Sequence, residues 1–141
     1  DLGFGAPTGV PYPAEASGTL NPPARWSQTT PASLSMGYEI AVTPLQLAAA
    51  YGAIANGGLL LEPALVKEIR DAEGGVRFRH EARVVRRVMP DTVAATMRGL
   101  LRTVVESGTA TDADLASFTL GGKSGTVRRI ERGRGYAAGR Y

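Results

Sequence analysis

From Ile40 to Leu61 the chain carries no charged side chain, and this run limits the possible folds more than any other feature. A membrane-spanning helix needs about 20 apolar residues, so length alone would allow a span. The residues inside the run do not. Thr43-Pro44-Leu45-Gln46 reads as a helix start: a Thr N-cap, Pro at the first helical position, and Gln at the third, able to reach back in a capping box. Gly57 supplies the left-handed backbone that ends it. The helix is thereby held to roughly residues 43 to 56, about 21 Å at 1.5 Å per residue, too short for a hydrocarbon core of ~30 Å. A buried helix of a globular domain is expected, with Leu47, Ala48, Tyr51, Ile54 and Ala55 recurring at helical spacing.

The flanking segments are of different kinds. Residues 1 to 37 hold most of the prolines, from Pro7 to Pro31, among Gly3, Gly5, Gly9 and Gly18, which predicts an irregular segment hugging the surface. Residues 59 to 71 and 76 to 88 read as extended, with Val66, Ile69, Val76, Phe78, Val84, Val85 and Val88 on either side of a turn at Glu73-Gly74-Gly75, so a hairpin-like insertion is expected. From Pro90 to Glu106 the residues Val93, Met97, Leu100, Leu101, Val104 and Val105 make one apolar stripe, with Arg98 and Arg102 on the other face, and this second helix ends before Gly108. Gly121 to Val127 reads as a strand whose middle is kept small. With 43% hydrophobic residues there is material for a core, and 18 glycines with 9 prolines demand many turns. The fold class is α+β, with the two helices packed together or on the sheet that holds the Gly121–Val127 strand.

Charge is distributed unevenly: residues 1 to 66 hold Arg25 as their only basic side chain, and every other Lys and Arg lies between 67 and 141. Arg128, Arg129, Arg132 and Arg134 are interleaved with Glu131 and glycines rather than with aromatic residues that could stack on bases, so nucleic-acid binding is not expected and the run reads as a solvated loop. The absence of cysteine excludes disulfides and thiolate metal sites. His80, the sole histidine, sits among charged residues and is expected at the surface. Neither a cofactor nor a metal is expected, and no charged-then-apolar leader opens the chain at Asp1.

Gly122-Lys123-Ser124 invites two readings. A phosphate-cradling loop requires G-x-x-x-x-G-K-[ST] opening a helix. Here Ser117 stands at the first glycine position, and Gly125-Thr126-Val127 start helices poorly. The other reading is the Lys-[Ser/Thr]-Gly triad that penicillin-binding proteins and serine β-lactamases carry on a strand beside the active-site serine. On a strand, Ser124 and Thr126 would project to one side and offer two hydroxyls to a substrate carboxylate, with Lys123 supplying positive charge. Gly125 would let a substrate backbone lie close, and the Thr126 amide would help an oxyanion hole. Adjacent strand residues diverge, so Lys123 is expected to be poorly placed to deprotonate Ser124.

The rest of the chain strengthens the second reading. Phe4-Gly5, Thr8-Gly9-Val10, Glu15-Ala16-Gly18, Ser35-Met36-Gly37-Tyr38-Glu39, Val42 to Leu47, Ile54 to Gly58, and Val104-Val105 with Gly108-Thr109-Ala110 ahead of Gly121 to Thr126 together resemble the class B penicillin-binding proteins, the monofunctional peptidoglycan transpeptidases. The resemblance implies part of a β-lactamase/transpeptidase-like fold: residues 1–141 as a C-terminal portion of the transpeptidase domain, incomplete at both ends. It implies catalytic roles for Lys123, Ser124 and Gly125 and substrate binding by Ser124, Thr126 and Val127. Stem peptides ending in D-Ala-D-Ala, β-lactams and the elongation or division machinery would be the partners. The parent would lie on the extracytoplasmic face of the bacterial inner membrane, anchored by a segment outside this chain. No S-x-x-K or S-x-N occurs in residues 1–141, so the nucleophile, its lysine and the second serine are expected upstream of Asp1, and the chain alone is expected to be inactive. A serine β-lactamase or β-lactam sensor, and a non-catalytic cell-wall scaffold, are the alternatives.

Overall fold

The helix written into Thr43–Gly57 is present and organises what surrounds it. A computed structural model describes residues 2–125 together with the strand residues 130, 131, 135 and 136. In chain order the elements are β1 (Thr19–Leu20), a 3-10 turn (Pro23–Arg25), α1 (Thr30–Ser35), β2 (Ile40–Ala41), α2 (Pro44–Ala55), β3 (Leu59–Leu61), β4 (Glu68–Arg70), β5 (Val76–Arg79), β6 (Val84–Arg87), α3 (Asp91–Ser107), a 3-10 turn (Thr111–Ala113), β7 (Ile130–Glu131) and β8 (Gly135–Tyr136). They form two compact units, residues 1–23 with 40–98, and residues 24–39 with 99–141; the division falls inside α3. No helix among the described residues is long and apolar enough to cross a membrane.

In the first unit the capping box of α2 is complete. Thr43 Oγ1 accepts from the Gln46 amide at 3.1 Å, and Gln46 Oε1 accepts from the Thr43 amide at 2.9 Å. The same side chain, 1% exposed, donates through Nε2 to the carbonyls of Ala6 at 2.7 Å and Ser17 at 2.8 Å. One glutamine therefore caps the helix and binds down the proline-rich entry segment. A second clasp holds that segment: the Glu15 carboxylate accepts from the amides of Thr8 at 2.8 Å and Gly9 at 3.3 Å. Hydrogen bonding from Thr8, its side chain first, holds the Glu15 carboxyl below its ordinary pKa.

The buried face of α2 differs from the expected one. Gln46, Ala50 and Ala53 point inward, whereas Leu47 and Tyr51 are exposed. Small side chains let the helix backbone approach β3, against which it packs, and the larger residues then fall outside that narrow contact. Gly58, at φ +88°, lies so close to Met89 that a Cβ would stand 2.2 Å from the Met89 carbonyl oxygen. Only glycine fits there.

The expected hairpin spans the whole region from 59 to 87. β4 pairs with β5 and β3 pairs with β6, both antiparallel, with Ile69 opposite Phe78 and Leu60 opposite Arg86. His80 N–H to Lys67 O and Glu62 N–H to Arg83 O, each 2.9 Å, carry the pairing across the interruption between the two ladders. At the tip Asp71 binds the Gly75 amide through Oδ1 at 2.6 Å, and Gly74 turns at φ +85°. His80 is half-buried rather than fully at the surface.

Helix α3 matches its expected span to within one residue at each end. Its stripe is only partly covered: Val105 is buried, as is Ala94 beside the stripe, but Val93 and Leu100 are exposed. Arg98, placed on the solvent face by periodicity, donates to the Ile54 carbonyl at 2.9 Å and satisfies the C-terminal turn of α2. The short helix α1 was not anticipated, since its six residues lie within the proline-rich stretch. In the second unit Thr30, buried, donates to Glu39 at 2.9 Å, and Glu39 holds a left-handed backbone at φ +59°. Strands β7 and β8 pair antiparallel, Ile130 opposite Tyr136. Arg128, Arg129, Arg132 and Arg134 lie outside the described residues.

Candidate active site

The second half of α3 positions the segment that carries the Lys-Ser-Gly triad. Arg102 is the anchor. Its guanidinium donates through Nε to Glu106 at 2.7 Å, and through Nη1 to Asp114 at 3.0 Å and the Leu120 carbonyl at 3.2 Å. The hydrogen bond it gives to Asp114, then that to Glu106, raises its pKa above the usual arginine value, so the group stays a cation. Next along, the Gly122 amide donates to the Leu101 carbonyl at 3.1 Å. The backbone arriving at Lys123 is thus tied on both sides of Gly121 to one turn of helix.

The expected strand is absent over Gly121–Gly125, which carry no ladder pairing. A strand is a property of pairing rather than of extended shape. Of these residues the Gly122 amide bonds instead to α3, and the expected strand is corrected over Gly121–Gly125. Thr126 and Val127, expected to bind substrate, lie outside the described residues.

Lys123 and Ser124 do come together, against the expectation that they diverge. Lys123 Nζ donates to the Ser124 carbonyl at 2.9 Å and to Ser124 Oγ at 3.0 Å. Without a ladder fixing alternate faces, the long lysine stem folds back over its neighbour. Ser124 Oγ also lies 2.8 Å from Thr109 Oγ1. Ser124 is half-buried, and Lys123, Thr109 and Gly125 are exposed. A Cβ placed at Gly122 or Gly125 would meet nothing within 4 Å, so packing within this chain does not demand glycine at either position. The arrangement presents an ammonium and two linked hydroxyls on an open backbone, a donor-rich surface suited to an anionic group.

Sequence reasoning singled out Lys123, Ser124 and Gly125 as candidates and did not foresee that Arg102, Asp114 and Thr109 tie down or touch the same segment. Arg102 had been placed on a solvated helix face, and Gly108-Thr109-Ala110 carried the resemblance with no role attached. The only available signal was the need for some group to satisfy the carbonyls beside the triad.

Comparison with known proteins bears on what such a surface serves. The whole chain, residues 1–141, matches the family model described as the penicillin-binding protein transpeptidase domain. It is 36% identical over 141 residues to the probable peptidoglycan D,D-transpeptidase PbpC of Pseudomonas aeruginosa, covering 99% of this chain and 23% of that protein. It is 34% identical over 141 residues to penicillin-binding protein PbpB of Mycobacterium tuberculosis, covering 95% and 21%. Among solved structures, penicillin-binding protein 3 of Mycobacterium tuberculosis in complex with ampicillin superposes with a TM-score of 0.79 at 33% identity, over 96% of this chain and 31% of that one. The transpeptidase domain of penicillin-binding protein 3 from Burkholderia pseudomallei gives 0.79 at 33%, over 97% and 39%. The chain therefore spans about a fifth to a quarter of the length of these curated relatives. The α+β, partial transpeptidase-like fold and the likeness to class B penicillin-binding proteins read from the sequence both stand. The chain belongs to the penicillin-binding protein transpeptidase domain family.

Proposed function

We propose that the protein to which this chain contributes is a peptidoglycan D,D-transpeptidase working through a serine acyl-enzyme, and that Lys123 to Thr126 form its carboxylate-binding wall. One observation carries the proposal: in a chain that matches the family over its full length, the Lys123 ammonium and the Ser124 hydroxyl converge on an open segment flanked by Gly122 and Gly125. In this reading a serine outside residues 1–141 attacks the penultimate D-Ala carbonyl of a stem peptide. A new ester C–O bond forms, the peptide C–N bond breaks, and D-Ala leaves with a proton on its amine. An amine of a second stem then attacks the ester and releases the serine. A penicillin enters by the same attack and stops at the ester.

The chain's residues serve recognition. Ser124 and Thr126 offer hydroxyls to the terminal carboxylate, Lys123 adds positive charge, Gly125 admits the substrate backbone, Val127 lines it, and the Thr126 amide assists the oxyanion hole. Residues 1–141 would be a C-terminal portion of the transpeptidase domain. The parent would act on the extracytoplasmic face of the inner membrane with the elongation or division machinery, and no nucleic acid is involved.

The test is the acylation rate of the full-length protein by penicillin. Lys123→Ala is expected to slow it at least tenfold, and by no more than the ~100- to 1,000-fold seen when a single transition-state donor is lost. Ser124→Thr keeps the hydroxyl and is expected to be far milder. Unchanged kinetics in folded Lys123→Ala, or equal damage from Ser124→Thr, would remove the triad from the mechanism.

A further inference from the structure

Thr109 reaches Ser124 across fifteen residues, with 2.8 Å between the two hydroxyl oxygens. Its place is set by the end of α3. The amides of Gly108 and Ala110, on either side of it, both donate to the Val104 carbonyl, at 3.2 and 3.1 Å. Gly108 is pressed so closely onto that turn that a Cβ would stand 2.8 Å from the Val104 carbonyl oxygen. The Thr109 side chain is thus presented from a backbone fixed at both neighbours, and it remains exposed.

A serine hydroxyl has one proton and two lone pairs. The Lys123 ammonium, which can only donate, occupies one lone pair of Ser124 Oγ at 3.0 Å. The Thr109 hydroxyl rotates freely. If it accepts from Ser124, the only Ser124 proton is consumed within the protein. If it donates, both lone pairs are filled and the Ser124 proton must point elsewhere. A carboxylate accepts and never donates, so its arrival selects the second state. Each hydrogen bond given to Ser124 Oγ also polarises its O–H and strengthens the bond it makes in turn.

We propose that Thr109 is a positioning residue whose hydroxyl donates to Ser124 Oγ and so commits the Ser124 proton to the substrate carboxylate. The inference rests on the assignment of Ser124 to carboxylate binding made above. Thr109 need not touch the substrate; it acts through Ser124.

The experiment is a double-mutant cycle in the full-length transpeptidase, with penicillin acylation resolved into the dissociation constant of the non-covalent complex and the rate of the covalent step. Thr109→Val, isosteric and at an exposed position, is expected to weaken the non-covalent complex about five- to tenfold, the worth of one hydrogen bond of this kind, and to change the covalent step less than twofold. Thr109→Ser, which keeps the hydroxyl, should stay within about twofold of the parent. In a Ser124→Ala background, Thr109→Val should have no further effect. If Ser124→Ala weakens the complex while Thr109→Val does not, the role of Thr109 is overturned and that of Ser124 stands. An equal loss from Thr109→Val with and without Ser124 overturns it as well, because a coupling through Ser124 would then be absent. If Ser124→Ala itself leaves binding unchanged, the carboxylate assignment falls and takes the inference with it.

Discussion

Replacing Gln46 by leucine should destabilise the helix that organises the first unit well beyond the loss of its N-cap hydroxyl. The substitution keeps the side-chain volume roughly constant but removes three hydrogen bonds: from the Thr43 amide at 2.9 Å, and to the carbonyls of Ala6 at 2.7 Å and Ser17 at 2.8 Å. Gln46 is 1% exposed, so water cannot readily replace its amide. A buried polar group left without a partner costs about 1–3 kcal/mol. Taking the lower end for three groups near the edge of the unit gives about 3–5 kcal/mol. In a domain of a few hundred residues that lowers the melting temperature by roughly 10 °C. Thr43→Ala, which loses the N-cap hydroxyl alone, should cost about 1 kcal/mol. Gln46→Glu gives a sharper check. It retains the acceptor but sets a carboxylate against two carbonyl oxygens, which raises its folded-state pKa above the unfolded value. The stability conferred by the protonated form is then complete below the unfolded pKa and is lost as pH rises through the folded one, so this variant should regain stability on acidification while Gln46→Leu does not. Differential scanning calorimetry of the full-length protein from pH 7 to 4.5 measures both. A Gln46→Leu melting point within 2 °C of the parent, or a Gln46→Glu variant with the parent's pH slope, would refute the reasoning.

Three further outcomes are expected. The lowered pKa of Glu15 means that its clasp on Thr8 and Gly9 contributes fully above the ordinary carboxylate range of about 4.3 and is lost as pH falls through the lowered folded value; amide exchange at Thr8 and Gly9 should accelerate only in that acid window, and Glu15→Gln should abolish the pH dependence. Arg102→Met cuts the tie to Leu120 and should slow penicillin acylation roughly tenfold, less than the ~100-fold that a 1 Å misplacement can cost; stopped-flow acylation at parental rates would show that the Gly122–Leu101 bond suffices. Residues 1–141 expressed alone should form no covalent adduct with a fluorescent penicillin, because they hold no S-x-x-K or S-x-N and so no opposing wall to the triad; an adduct mapped to Ser124 by mass spectrometry would make that serine a nucleophile.

The parts of the fold that were legible in the sequence are those decided locally. Thr43, Pro44, Gln46 and Gly57 act within one turn of their own positions, so the ends of α2 follow from residue types alone, as does the glycine turn between β4 and β5. What was not legible depended on a partner elsewhere in the chain. Periodicity shows that α2 has an apolar face but not which of two faces is covered; the choice of Ala50 and Ala53 over Leu47 and Tyr51 belongs to the close approach of β3. Arg98 and Arg102 look alike on a helical wheel, yet each meets a carbonyl that only folding brings near.

The candidate site divides along the same line. Lys123, Ser124 and Gly125 are weak evidence alone, being common residues, and stand out because the blocks from Phe4 to Ala110 resemble the same family. Their geometry does not, since a Lys-Ser-Gly segment in a ladder separates the two side chains, whereas one hung from α3 brings them to 3.0 Å. That difference changes the chemistry assigned to Ser124. On an isolated strand its hydroxyl is free to give or to take a hydrogen bond, and its affinity for a carboxylate is diluted by every orientation in which the proton points away. With Lys123 occupying one lone pair and Thr109 able to occupy the other, the remaining direction is outward, and the proton needs little reorganisation when an anion arrives. If Ser124 binds the carboxylate as proposed, the turn at Gly108–Ala110 bears on recognition through that serine.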